Sequence, residues 1–532
     1  MFPRSRDIRC AQPTQAAGRH LKLGGFLNRF AREEDGAMLV FGIYVFLLIL
    51  MVGGIGIDLM RFERDRSELQ YTLDRAVLAA ADLDQTLPPT EVVTDYLTKA
   101  GLEQYISSVT VTQGVGFRNV AATANADIQT QFMHMGGVDT LTAPAASMAE
   151  ESIGHVEVSL VLDISGSMNS NNRLTYLKTA ANNFVDELLG NTEPGSVSIS
   201  IIPFATQVNA GEALLGKYTV TNEHNYSHCV NFIANEFSKS TLSRYDILER
   251  TAHFDPFTYS EDPISMPVCP TRAGSEILPL SNHLPTLHAY INGLTAGGNT
   301  STDIGMKWGV TLLDPATRSV INDLVADGEI NPDFKDRPGD YNTDVSLKIA
   351  VLMADGQNTD QYMLNPSLRT GDSNVWYNAE EGEYSIRHDS SAENYYWPQD
   401  EDWHDHPYGN DSGEPGNAVR MTFPELFAQV SLAWNAEYNY EFTRSAWADW
   451  YTSAKTKLNS VAKDQQTKHI CDATKDQGII VYSVGLDVSK RGGRLLRACA
   501  SSGSHYFDSQ GSEITDAFSA IASSIRKLRL TQ

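Results

Sequence analysis

VEVSLVLDISGS, residues 156–167, decides how this chain is read. Its first half is apolar enough to be a buried central strand. Its second half is a D-x-S-x-S pattern: one carboxylate, Asp163, and two hydroxyls, Ser165 and Ser167, just past the strand's end. Carboxylate and hydroxyl oxygens are hard ligands of the kind that a magnesium-class cation takes.

Outward from that stretch, strand-like and helix-like segments alternate. Leu174, Leu177, Ala181, Phe184 and Leu188 share one helical face, and Gly190 closes it. Residues 197–204, 347–354 and 479–484 read as further strands, and 505–507 as a short one. Ile304, Trp308 and Leu312 form a helical stripe before Pro315, residues 495–500 a short helix, and Ile514, Phe518, Ile521, Ile525 and Leu528 a last amphipathic helix. This alternation predicts an α/β fold over residues 154–532: a doubly wound, mostly parallel sheet with insertions at about 207–285 and 358–468. Such sheets bind ligands beyond the carboxyl ends of their strands. Three segments fall there: Asp163 to Ser167, the glycine-rich run GGNTST at 297–302, and Asp355-Gly356 after KIAVLMA. They supply two carboxylates and at least three hydroxyls, and the glycines let the loops approach an ion closely.

Residues 37–57, AMLVFGIYVFLLILMVGGIGI, carry no charge. At 1.5 Å per residue such a helix spans a bilayer core of about 30 Å. Arg4, Arg6, Arg9, Arg19, Lys22, Arg29 and Arg32 precede it, and mixed charges follow. The positive-inside rule then puts a basic arm, residues 1–36, in the cytoplasm and the rest of the chain outside. A cleaved signal peptide is the rival reading, but the apolar run is long for one and no A-x-A-like site follows. The helix is expected to continue through 58–87. Leu59, Phe62, Leu69, Leu73, Ala76, Ala80 and Leu83 make a heptad seam, with Arg66 at the one missing place. That seam packs either on this chain's next region or on another single-span protein. Pro88-Pro89 is read as its end. In residues 88–153, Val120, Ala122, Ala124, Ala126 and Ile128 alternate with polar or small residues, which predicts a small antiparallel sheet turning at Gly136-Gly137.

Composition narrows the function classes. The chain has 532 residues, 42% of them hydrophobic, and a formal charge of -25. Nucleic acid is a poor partner for so acidic a chain, because phosphate binding needs clustered Lys and Arg. There is no C-x-x-C, so zinc-ribbon and thioredoxin-like chemistry is disfavoured. Cys229, Cys269, Cys471 and Cys499 all follow the apolar segment. An even number on one side of a membrane suggests two disulfides in an oxidising compartment, against the alternative of four buried thiols.

Taken together, the D-x-S-x-S run, the later Thr in a glycine-rich loop and the Asp-Gly after a strand resemble the von Willebrand factor A (VWA) domain and its metal-ion-dependent adhesion site (MIDAS). The resemblance implies that Ser165, Ser167 and Thr300 are hydroxyl ligands, Thr300 being preferred to Thr302 by its spacing to Gly305. It implies that Asp163 and Asp355 act as carboxylates directly or through water, with Mg2+, or Mn2+ or Ca2+, as the ion. In that family an acidic residue of the partner fills the open coordination position. A second resemblance covers the amino-terminal part. Glu34-Asp35-Gly36 before an apolar helix, Gly56-Ile57-Asp58, Leu69-Gln70 and the run DRAVLAAA from Asp74 look like the TadE/TadG-like anchor of tight-adherence (Flp) pilus assembly proteins. Cys471-Asp472, the strand GIIVYSVG, Cys499 and His505-Tyr506-Phe507-Asp508 resemble the carboxyl-terminal portion of the TadG type.

The insertions lie outside both resemblances. Pairing Cys229 with Cys269 would staple the first. The second is rich in Trp376, Tyr377, Tyr384, Tyr395, Tyr396, Trp397, Trp403 and Tyr408, which form either a binding surface or a private core. His404-Asp405-His406 near Asp400 and Asp402 matches no zinc spacing and reads as a solvated loop. Ser165 lacks the G-x-S-x-G elbow and a His placed as its base, and no P-loop occurs. The expected function is therefore binding, not catalysis. The chain reads as a single-pass protein of a bacterial inner membrane, with its VWA domain periplasmic or extracellular. It would grip a protein partner's carboxylate through a divalent cation during Flp/Tad pilus assembly or secretion. A surface adhesin is the alternative, and a metal-dependent hydrolase ranks last.

Overall fold

The computed structural model describes residues 35–82, 85–114, 117–152, 155–190, 195–341, 346–388 and 394–531. The basic arm before residue 35 and Leu83 of the expected seam lie outside the described residues. The chain forms two compact units, Met1–Glu151 and Ser152–Gln532.

The first unit holds α1 (Asp35–Ala81), α2 (Pro89–Lys99), β1 (Ile106–Gly114), β2 (Phe117–Gln129) and β3 (Thr140–Ser152). Among the described residues, one helix is long and apolar enough to cross a membrane, and it runs without a break into the folded part of the unit. Leu69, Leu73, Ala76 and Ala80 are buried against α2 and the sheet, so this seam packs on the chain's own unit. Pro88-Pro89 does more than stop a helix. Pro88 caps α2 and Pro89 takes its first turn, where the missing N–H costs nothing. The sheet runs in the order β1-β2-β3, and the alternating Val120, Ala122, Ala124 and Ala126 supply its buried face.

The second unit contains, in chain order, β4 (His155–Asp163), α3 (Arg173–Leu189), β5 (Val197–Phe204), β6 (Val230–Asn231), β7 (Glu249–Arg250), β8 (Leu278–Ser281), α4 (Leu284–Gly293), α5 (Thr302–Thr311), α6 (Arg318–Ala326) and β9 (Ser346–Ala354). There follow β10 (Gln361–Leu364), β11 (Asp372–Asn378), β12 (Glu383–Arg387), β13 (Tyr395–Trp397), β14 (Asp402–His404), β15 (Ala418–Thr422) and α7 (Phe423–Gln429). The unit ends with β16 (Lys455–Leu458), α8 (Ser460–Asp476), β17 (Ile480–Leu486), α9 (Lys490–Cys499), β18 (Tyr506–Ser509) and α10 (Glu513–Thr531).

The expected fold class, a doubly wound and mostly parallel sheet, needs correction. The described residues form five sheets, and three of them pair only antiparallel: β10-β16, β6-β7 and the five-stranded β14-β13-β12-β11-β15. In a fourth, β1 and β2 also pair antiparallel. The largest sheet, β18-β17-β9-β4-β5-β8, is itself mixed: β8 runs antiparallel to β5 at its edge. The reason is local. Short strands with interleaved polar and aromatic residues can build antiparallel hairpins without crossover helices, so the inserted segments fold into sheets of their own.

In β4, side chains alternate between two cores. Val158, Leu160 and Leu162 join Leu177, Phe184 and Phe518, while Val161 joins Ile304, Trp308 and Ile470. The two insertions share a third core, in which Phe254 and Val268 from the first meet Val375, Ile386 and Leu426 from the second. Tyr384, Tyr396 and Trp397 are buried there or beside it, whereas Trp403 stays exposed. Disulfides join Cys229 to Cys269 and Cys471 to Cys499, with Cα–Cα distances of 5.7 and 5.1 Å.

Candidate metal centre

Asp163 ends β4 with its side chain fully buried, and Ile164 behind it is buried as well. The chain then turns sharply. The Ser165 amide donates to Asp163 Oδ1 at 2.8 Å, and Gly166–Asn169 form a single 3-10 turn. That turn lifts Ser167 to the surface while Ser165 stays buried. The two hydroxyls lie 3.1 Å apart, and Ser167 Oγ donates to Asp355 Oδ1 at 2.9 Å. Asp163, Ser165, Ser167 and Asp355 are thus joined by direct hydrogen bonds, at the ends of the adjacent parallel strands β4 and β9.

The glycine-rich loop is docked on this turn by its backbone. The Gly297 amide donates to the Ile164 carbonyl, and the Gly166 amide to the Gly298 carbonyl, both at 2.9 Å. Gly298 has φ +80, and a Cβ there would stand 2.6 Å from Thr206 Oγ1, so only glycine fits. The same Thr206 hydroxyl accepts from the Asn299 amide at 2.8 Å. Thr300 is nearly buried, and its amide donates to Thr359 Oγ1 at 2.8 Å. Thr302 begins α5, where its amide meets Asn358 Oδ1 at 2.8 Å and its hydroxyl is buried without a hydrogen-bond partner.

Electrostatics single out Asp163. Burial pushes its carboxyl up to about 8, and the Asp355 charge adds to the shift. Its Oδ2 is buried with no hydrogen-bond partner. Such an oxygen is costly in a dry site unless something positive or protonated faces it. Asp355 is better provided for than the sequence implied. Arg173, at the start of α3, lies 3.0 Å from Asp355 Oδ2 and 3.1 Å from Asp487 Oδ2. The donor set therefore fits a hard divalent cation: oxygens only, one buried carboxylate oxygen unsatisfied, and an exposed hydroxyl on the open side.

Several residues that shape the centre carry no motif. Lys463 of α8 is fully buried, and its ammonium reaches the Thr300 carbonyl at 3.3 Å, the Ser301 hydroxyl and, at 3.7 Å, Asp303 Oδ1. Burial pushes Asp303 up and Lys463 down, and their mutual attraction opposes both shifts. Arg272, from the first insertion, donates to the carbonyls of Thr295, Ile164 and Gly297 at 2.9–3.0 Å. Burial lowers its guanidinium to about 10. The second insertion begins with Asn358 and Thr359, which hold the Thr300 loop from the other side. Both insertions therefore brace the glycine-rich loop.

The His404–His406 segment is held by its own carboxylates. His404 bonds Asp400 at 3.0 Å and stacks on Trp397, and His406 bonds Asp405 and Glu414 at 2.5 and 2.8 Å. Among the described residues no group of three or more His, Cys, Asp or Glu is arranged to hold a metal.

No curated protein matches the chain. Among solved structures, the VWF domain of the type V pili tip protein Mfa5 from Porphyromonas gingivalis is 14% identical. That match covers 70% of this chain and 96% of that one, with a TM-score of 0.31. The pilus adhesin SpaC from Lactobacillus rhamnosus GG, in its open conformation, is 15% identical over 78% of this chain and 33% of its own, with a TM-score of 0.29. The pilus adhesin RrgA from Streptococcus pneumoniae is 12% identical over 79% and 50%, with a TM-score of 0.30. At these scores the likenesses carry no conclusion about this chain. The family comparison is more specific: residues 36–83 match the Tad model, described as Flp pilus-assembly TadE/G-like, so the long apolar helix and its continuation are similar to that type.

Proposed function

We propose that this chain is a single-pass membrane protein of Flp pilus assembly or secretion. Its second unit would grip a protein partner through a divalent cation held by Asp163, Ser165, Ser167, Thr300 and Asp355. The observation that carries this reading is the buried, partnerless Asp163 Oδ2, set among two serine hydroxyls and a second carboxylate. The Tad-type anchor supplies the pilus context. Mg2+ suits so few direct protein ligands, because it retains several waters. Ser167 is the exposed donor of the set, so a partner's carboxylate would approach over that turn. On this reading the amino-terminal arm is cytoplasmic, the anchor sits in a bacterial inner membrane and the second unit is periplasmic. The reading is one of binding: the Ser165 hydroxyl is engaged with Ser167.

A photo-crosslinking residue at exposed Ser170, beside the turn, tests it in cells. The expected catch is a pilus-assembly component, captured with Mg2+ and lost with a chelator or in Asp163→Ala. Capture that persists unchanged in both would contradict the metal-dependent grip. Capture of a molecule outside the cell would favour a surface adhesin.

A further inference from the structure

The loop that joins β2 to β3 in the first unit is TQFMHMGGVD, residues 130–139. It folds back on the apolar part of α1. A Cβ on Gly54 would lie 2.4 Å from Phe132 Cγ, so the phenyl ring rests directly on the helix backbone. The Cβ position of Gly136 is 3.6 Å from Met51 Cε. Gly54 and Met51 lie inside the uncharged segment 37–57. At 1.5 Å per residue they sit roughly 5 and 9 Å below its end at Ile57. Between loop and helix lies an open hollow of about 370 Å³, lined by Tyr44, Leu47, Leu48, Met51, Phe132 and Met135 among others. Met135 at its mouth is 72% exposed, and residues 131–138 include no Asp, Glu, Lys or Arg.

Seven amides of this loop find acceptors within the unit, and hydrocarbon requires such partners of any non-helical segment. Asp58, just past the apolar segment and itself buried, accepts the amides of Gln131, Phe132 and Met133 at 3.0, 2.7 and 2.8 Å. Thr130, Met135, Gly137 and Val138 donate to carbonyls within the loop at 2.9–3.2 Å. We propose that residues 131–138 are a membrane-immersed wedge. Lipid acyl chains of the leaflet facing the folded unit fill the hollow, and Asp58 holds the wedge at that depth. This rests on the proposed reading of α1 as a spanning helix: the hollow's helical wall includes Tyr44, Leu47, Leu48 and Leu50, all exposed apolar surface, and the implied depth matches that of interfacial apolar segments, about 5–10 Å. A second copy or another single-span protein is the competing occupant.

The test uses the full chain in phosphatidylcholine vesicles, with Cys10→Ser and a nitroxide on Met135→Cys or Val138→Cys. The reference is Met148→Cys on β3, which is 70% exposed. Collision rates with dissolved oxygen and with a water-soluble nickel chelate report the surroundings. The expected ratio of oxygen to chelate collisions is several-fold higher at 135 and 138 than at 148, and unchanged when the protein is diluted in lipid. A ratio equal to that at 148 would overturn the wedge. Low collision rates with both reagents, the mark of a protein cover, would overturn it as well.

Discussion

Lys463 binds the candidate centre to a part of the chain far away in sequence. It and Asp303 are both fully buried, and Asp303 has no hydrogen-bond partner for either oxygen. Removing one partner of a buried pair leaves an uncompensated charge, which costs roughly 3–5 kcal/mol. Lys463→Met should therefore destabilise the second unit by about that amount in urea unfolding. Lys463→Met with Asp303→Asn should recover most of it; no recovery would mean that Lys463 acts mainly by holding Thr300 and Ser301. The sequence made part of this region legible. Asp163, Ser165, Ser167 and Asp355 could be placed together because they follow two apolar strands, and those strands pair in parallel. Lys463, Arg272, Thr206 and Arg173 could not. A buried lysine in a polar helix has the same local pattern as a solvated one until the loop it serves is in place.

The long apolar strands were readable for a simple reason: strands buried on both faces are unbroken runs of Val, Ile and Leu. β4, β5 and β9 approach this: they are buried along nearly their whole length, and Glu157, Ser159, Ser198, Ser200 and Lys348 interrupt otherwise apolar runs. β8 is four residues, LPLS, and β13 and β14 are three each, too short for any periodicity to show. The insertions consequently read as irregular sequence, although they build sheets of their own. The Cys229–Cys269 bond crosses the first of them with a separation of 40 residues. Closing a loop of that length in the unfolded chain is worth roughly 4 kcal/mol on the chain-entropy account. Cys229→Ser with Cys269→Ser should lower stability by that order and expose the 230–268 segment to limited proteolysis. Cleavage at the wild-type rate would show that the shared aromatic core holds the insertion unaided.

At the scale of the whole molecule, one chain combines a TadE/G-like helix, long and apolar enough to cross a membrane, with a unit whose strand ends gather two carboxylates and several hydroxyls. The long apolar helix was legible, because an uncharged run of that length stands out in the sequence. The packing of its continuation onto the chain's own sheet was not, since a heptad seam reads alike for self and partner. The meaning of the second unit rests on whether the oxygen cluster takes a cation. Isothermal titration of Mg2+, then Mn2+, into the full chain in detergent, wild type beside Asp163→Ala, tests that most directly. The account predicts saturable binding of one ion per chain in the wild type and its loss in the variant. Equal heats from the two proteins would contradict it.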